Sequence, residues 1–179
     1  LSFDPNSIYR TTKCFKFKGK YPGAFPKGFL NWCKKMGWWG NKRVYLCAGM
    51  VDDHDAIMVD IKPECNPTHL EDARHTSLPD KSSDCIILDT PYSKELAEKM
   101  YGTGKYWSGI NTFLKEAERI CDHGGIIIVL SYEVPRKVGD INCIACCGIY
   151  QMVFDCRMRS LTVWRKDGYV KQKRLDGDS

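Results

Sequence analysis

The apolar run Cys85-Ile86-Ile87-Leu88 stops at Asp89-Thr90-Pro91-Tyr92, and this junction constrains the fold more than any other stretch of the chain. A short apolar run bounded by polar residues predicts a buried strand. Its end then presents a carboxylate, a proline and an aromatic ring where ligands bind in parallel sheets, beyond the carboxyl ends of the strands. Such a tip suits the handling of a flat ring that bears an amine. The amine's lone pair is delocalised into the ring, which makes it a poor nucleophile. Hydrogen bonds from its two N–H groups to Asp89 and to the Thr90 carbonyl would draw it towards a tetrahedral, more reactive geometry. Tyr92 would stack on the ring face, as aromatic side chains do with unstacked bases. Pro91 fixes its own φ and biases Thr90 towards an extended backbone, which aims that carbonyl. A strand running into a proline turn accounts for the same four residues without chemistry, so the surroundings decide.

Those surroundings are ordered. A helix is predicted over Pro26–Trp38, then a strand over Arg43–Ala48 closing on Gly49, and a second over Ala56–Val59 ending at Asp60. A short third strand at Thr68–Glu71 leads into Asp72, and a fourth at Asp84–Leu88 carries the tetrapeptide. Helices at Ser93–Met100 and Ser108–Ile120 precede a β-branched strand at Ile126–Leu130. Two further strands, Cys143–Tyr150 and Ser160–Arg165, are expected to pair antiparallel. Gly49, Asp60, Asp72 and Asp89 thus follow four successive strands and share one rim of a parallel sheet. Glycine lets the backbone approach a ligand closely. An acid after the next strand is the usual partner of ribose hydroxyls, and Asp72 is placed to accept from an adenine amine. Each acid alone is more often a cap or a loop charge; four strand ends in order are not.

Length and composition narrow the class. At 179 residues the chain predicts a single domain, 1–179, divided into a basic segment and helix (1–42), a core (43–165) and a basic tail (166–179). A net charge of +5 with five Trp and nine Tyr suits a polyanionic partner such as nucleic acid. No run is long enough to span a membrane, and the N-terminus lacks the features of a signal peptide. Ten cysteines include Cys143, Cys146 and Cys147, but no second pair stands at zinc spacing. The expectation is reduced thiols, no metal and a cytoplasmic setting.

With these residues in place the chain resembles a class I S-adenosylmethionine-dependent methyltransferase, and more narrowly the amino-methyltransferases with an Asp-Pro-Pro-Tyr or Asn-Pro-Pro-Tyr motif. The resemblance spans Lys18 to Arg165. It implies a Rossmann-like α/β fold, mostly parallel with an antiparallel C-terminal strand, with S-adenosyl-L-methionine as cofactor and an adenine or cytosine amine, mostly in DNA, as substrate. Asp89, Thr90, Pro91 and Tyr92 then stand for the catalytic motif. Lys20 and Tyr21, Ala48 and Gly49, Asp60 and Ile61, and Asp72 and Ala73 stand for cofactor contacts. Ser93, with Tyr101-Gly102 further on, is similar to a phage- and archaea-rich subset. Trp107 would help grip the base; Lys13, Lys16, Lys18, Lys20, Lys173 and Arg174 would follow phosphates. Thr90 departs from the family's first proline, and Gly49 stands without a second glycine.

Spacing adds one more expectation. Only Met50–Asp55 and Lys62–Pro67 separate the first three strands, whereas a parallel crossover ordinarily takes a dozen residues and a helix. Either two helices are missing or one strand pair is antiparallel. If they are missing, the helix at Pro26–Trp38 is nearly the only cover on one face. A homodimer would hide the rest; alternatively that helix and the aromatic-rich loops suffice in a monomer. Two other functional readings stay open: a non-catalytic, cofactor-binding partner subunit, and an amino-methyltransferase of RNA or of a protein glutamine.

Overall fold

The computed structural model describes residues 7–16, 25–102, 108–152 and 158–167. Their strands are β1 (Tyr9–Lys16), β2 (Arg43–Leu46), β3 (Ile57–Asp60), β4 (His69–Leu70), β5 (Ser83–Leu88), β6 (Cys121–Ser131), β7 (Ile141–Met152) and β8 (Arg159–Lys166). The helices are α1 (Phe29–Lys35), α2 (Lys94–Tyr101) and α3 (Ile110–Ile120). One sheet takes all the strands in the order β1-β7-β8-β6-β5-β2-β3-β4. Every neighbouring pair is parallel except β6–β8 and β7–β8, where β8 runs against both partners. This is the Rossmann-like, mostly parallel α/β sheet expected from the sequence, with its antiparallel strand near the C-terminus.

Both faces of the central strands are apolar because both are covered. On β5, Ile86 and Leu88 join the layer under α3, while Cys85 and Ile87 join the layer under α1. The α3 sequence Ile-Asn-Thr-Phe-Leu-Lys-Glu-Ala-Glu-Arg-Ile turns Ile110, Phe113, Leu114, Ala117 and Ile120 onto β5 and β6 at helical spacing. α2 begins where Ser93 Oγ accepts from the Leu96 N–H at 3.2 Å and ends at Gly102 in the left-handed conformation.

The crossovers from β2 to β3 and from β3 to β4 are parallel and lack helices. Residues 47–56 are a loop, clamped by Asp53. Its two carboxylate oxygens accept from Arg43 Nε and Nη2, both at 2.8 Å, and Tyr45 Oη donates to it at 3.1 Å. Arg43 also lies against the Trp39 ring, 5.4 Å from its centroid. The second crossover holds only a 3-10 turn at Pro63–Cys65, and Thr68 Oγ1 is bonded to both the N–H and the carbonyl of Met58. The face without crossover helices is covered within one copy. Phe25, Trp32, Trp38 and Trp39 lie with α1 over Tyr45, Ile87 and Ile128.

Beyond shifts of one or two residues at element ends, three features differ from the sequence reading. The first helix is shorter than Pro26–Trp38. β6 begins at Cys121 rather than Ile126 and carries an irregularity opposite Ser83–Cys85. The basic N-terminal segment contributes β1, an edge strand parallel to β7 that joins it to the core's own sheet. Among its described side chains Arg10, Thr12, Lys13 and Cys14 are exposed and only Phe15 is buried, as suits a polar edge strand. Nine cysteines lie in the described residues, each as a thiol; Cys156 lies outside them. No helix among the described residues is long and apolar enough to cross a membrane.

Candidate active site at the strand switch point

The strand order reverses between β2 and β5, where the chain leaves for β3 and β4 and returns on the other side. A crevice at such a point, beyond the carboxyl ends of the strands, is the general ligand site of open α/β sheets. The ends of β2, β3, β4 and β5 bring Gly49, Asp60, Asp72 and Asp89 to this one rim, as the spacing predicted.

The β2 end is built for close backbone approach. Cys47 has φ 58° and Gly49 has φ 55°, so the loop turns twice through the left-handed region. Asp60 holds it there: Gly49 N–H donates to Oδ2 at 2.8 Å and Lys62 N–H to Oδ1 at 2.9 Å. Each oxygen keeps a lone pair. The Cys47 thiol shows how closely the acids gather. Burial pushes its pKa well above the ordinary value, and the charges of Asp60, Asp89 and Asp72 push it further. A shallow depression lined by Phe25, Leu30, Ala48, Met50 and Val51 opens beside this loop.

Asp72 is less free. Arg74 donates to it through Nε, at 2.9 and 3.0 Å, through Nη2 at 2.5 Å and through its backbone N–H at 3.0 Å. Ala73 packs into the core under α3, and Ile61 is half-buried beside Asp60. Lys20, Tyr21 and Trp107, with Lys18, Lys173 and Arg174, lie outside the described residues. Lys16 ends β1 at the same rim, and Lys13 is exposed on that strand.

At the β5 end, Asp89 is half-buried and its Oδ1 accepts from Tyr92 Oη at 2.9 Å. Arg159 Nη1 in turn donates to Tyr92 Oη at 2.7 Å. Burial raises the Asp89 pKa to about 7, against the lowering effects of Arg159 and of the Tyr92 hydroxyl. The Tyr92 hydroxyl is held far above its ordinary value, first by burial and then by Asp89. Its ring is stacked on Tyr132, centroids 4.2 Å apart. The expected stacking partner of a base is therefore already engaged, with its hydroxyl turned inward and one ring face covered.

Sequence reasoning missed Arg159 and Tyr132. Arg159 enters the rim because β8 is antiparallel, which puts its first residue beside the end of β6, one strand away from the end of β5. Only the topology supplies that. Tyr132 had a signal, an aromatic just past the β-branched run of β6, much as Tyr92 lies just past β5.

No protein-family model matches the chain, and no curated protein sequence matches it. Solved structures do. A structure described for the conversion of a disulfide bond into a thioacetal group during echinomycin biosynthesis is 11% identical with a TM-score of 0.52, over 76% of this chain and 81% of that one. The MccD protein is 10% identical with a TM-score of 0.50, over 77% and 96%. A SAM-dependent methyltransferase from Methanosarcina mazei is 9% identical with a TM-score of 0.49, over 75% and 97%. At such identities the likeness is one of architecture. The chain has the Rossmann-like fold, with its rim of acids at the point where ligands of that fold bind.

Proposed function

We propose that the chain is an S-adenosylmethionine-dependent methyltransferase acting on the exocyclic amine of a nucleic-acid base, with adenine in DNA as the first substrate to test. The observation that carries this reading is Asp89. It stands at the switch point on Asp-Thr-Pro-Tyr, with Oδ2 buried and free of any hydrogen-bond partner among the described residues. A buried acceptor without a donor is costly, and an amine N–H satisfies it.

The residues present fit the cofactor. Asp60 keeps lone pairs for ribose hydroxyls, and Ala48 with Gly49 lets a ligand approach the β2 loop. Asp72 accepts from an adenine amine only by sharing its oxygens with Arg74. The bound cofactor supplies an electrophilic methyl group; the chain supplies placement, which accounts for most of the acceleration in such transfers. Asp89 orients the amine and offsets the positive charge that develops on it. The amine's proton then has Asp89 Oδ2 as its nearest acceptor.

The Tyr92–Tyr132 stack favours a second reading, in which the chain binds cofactor as a partner subunit and transfers nothing. Incubation with methyl-labelled cofactor against duplex DNA, single-stranded DNA, RNA and protein extract separates the readings. Label in one nucleic-acid pool supports the first, and label in protein moves the substrate to an amide. Cofactor binding by calorimetry without label anywhere supports the second. Asp60→Ala should weaken cofactor binding by ~1–3 kcal/mol through the lost acceptor and the loosened Gly49 loop; absence of cofactor binding by the native chain overturns both readings.

A further inference from the structure

Three buried side-chain polar atoms have no hydrogen-bond partner among the described residues, and all three belong to this site: Asp89 Oδ2, Thr90 Oγ1 and Arg159 Nη2. Thr90 is 2% exposed and Arg159 is 6% exposed, so neither gains its missing bond from bulk solvent at little cost. Arg159 and Asp89 are linked through one atom. Tyr92 Oη receives Arg159 Nη1 at 2.7 Å and donates to Asp89 Oδ1 at 2.9 Å. The guanidinium fork and the carboxylate therefore share Tyr92 through one prong each, and each has its other prong unused. One unused prong is an obligate donor and the other an acceptor when ionised.

We propose that Arg159 is a substrate-contacting specificity residue, its Nη2 donating to the acceptor atom next to the amine that Asp89 Oδ2 receives. This rests on the amine-methylation reading above. The ligand edge that satisfies both prongs is an N–H donor separated by one carbon from a lone-pair acceptor. Adenine presents it as its amine and the neighbouring ring nitrogen, cytosine as its amine and N3, and a primary carboxamide as its NH2 and oxygen. An aliphatic amine lacks it, and so does an aromatic amine flanked by C–H. With Tyr92 committed to Tyr132 at 4.2 Å, recognition of the reacting group falls to this edge-on pair rather than to stacking on Tyr92. Arg159 also brings a fixed positive charge. That charge favours the ionised carboxylate and draws electron density towards the ring acceptor.

The test uses single-stranded oligonucleotides, each carrying one adenine or one 1-deazaadenine, or one cytosine or one 3-deazacytosine. Each deaza base keeps the amine and loses the neighbouring acceptor. Affinity is measured with the protein saturated in S-adenosylhomocysteine, and methyl transfer with labelled cofactor. The native protein should bind each deaza probe roughly 10- to 100-fold more weakly than its parent, the usual worth of a hydrogen bond to a charged group. In Arg159→Met that ratio should fall to near one, because no donor remains to be left unpaired. Comparing ratios cancels the intrinsic difference in amine reactivity between parent and analogue. Equal affinity for parent and deaza probes in the native protein overturns the proposal. So does the same ratio in Arg159→Met as in the native chain, or cofactor binding with no affinity for any probe. The native comparison needs no variant, so a poorly folding Arg159→Met does not blunt the test. Failure of cofactor binding itself overturns the underlying methyltransferase reading, whereas cofactor binding with equal handling of the probe pairs overturns this one alone.

Discussion

Asp89 is asked to do two incompatible things, to sit away from water and to carry charge, and its pKa near 7 records the compromise. Because the folded value lies above the ordinary 3.8, the native state takes up a proton between about pH 4 and 7 that the unfolded chain does not. Stability therefore falls as pH rises through that window, while the ionised form needed to accept an amine proton grows in. Turnover should climb with pH up to about 7, and Asp89→Asn should flatten that limb. The same variant should melt higher than the native chain above neutral pH, by roughly 1–3 kcal/mol, with the gap closing towards pH 4. Asp89→Ala should abolish transfer and spare cofactor binding, as expected for an interaction made mostly in the transition state. A pH-independent native profile would mean that the carboxylate only positions. Thr90 offers a contrasting case. Its buried hydroxyl has no partner among the described residues, so isosteric Thr90→Val should be neutral or stabilising by about 1 kcal/mol in thermal melts. A large loss of stability would reveal a bond to some group the site normally holds. Asp89 and Tyr92 were legible because the chemistry of a strand tip is written in adjacent residues. Arg159 was not, since its place depends on the direction of β8 and not on its own neighbours.

At the scale of elements, the sheet depends on how its helix-free crossovers are tied down. Asp53 does for the β2–β3 loop what a packed helix would ordinarily do, and it does so with one carboxylate on Arg43 and Tyr45. Its pKa is lowered chiefly by the Arg43 hydrogen bonds, so the stabilisation is complete above its ordinary value and fades as pH falls through the depressed one. Asp53→Ala strands a mostly buried guanidinium and should cost ~1–3 kcal/mol, measured by denaturant unfolding. Cofactor affinity should fall with it, because the loop begins at Cys47 and Gly49. The short spacing between strand patterns foretold these loops; the clamp itself joins side chains too far apart in sequence for periodicity to reveal. β6 shows the reverse problem. Gly124-Gly125 looks like a breaker, yet the strand runs from Cys121 through both glycines, which lie inside the register shift between Cys121 and Ile126. Gly125 lies so close to Cys121 and Asp84 that an added Cβ would meet Cys121 Sγ at 2.7 Å, which explains a glycine there better than a turn does.

For the molecule as a whole, the question raised by the missing helices is what covers the sheet. Seen in one copy, α1 and its aromatics already bury Tyr45, Cys85, Ile87 and Ile128, which supports the single-copy alternative to a homodimer. Light scattering at micromolar concentration is expected to return 20.5 kDa. A doubled mass would instead show that apolar side chains still in water, such as Leu70 at 58% and Met50 at 63% exposure, are enough to drive pairing. The far edge of the sheet carries a different consequence, one of timing. β1 is the first strand described and, among the described residues, pairs only with β7, so Tyr9 must find Ala145. During synthesis this strand leaves the ribosome long before its partner exists, and the pairing closes a long loop. β1 is thereby fixed only after strands that follow it in the chain, and the site waits for β7 and β8 to be in place.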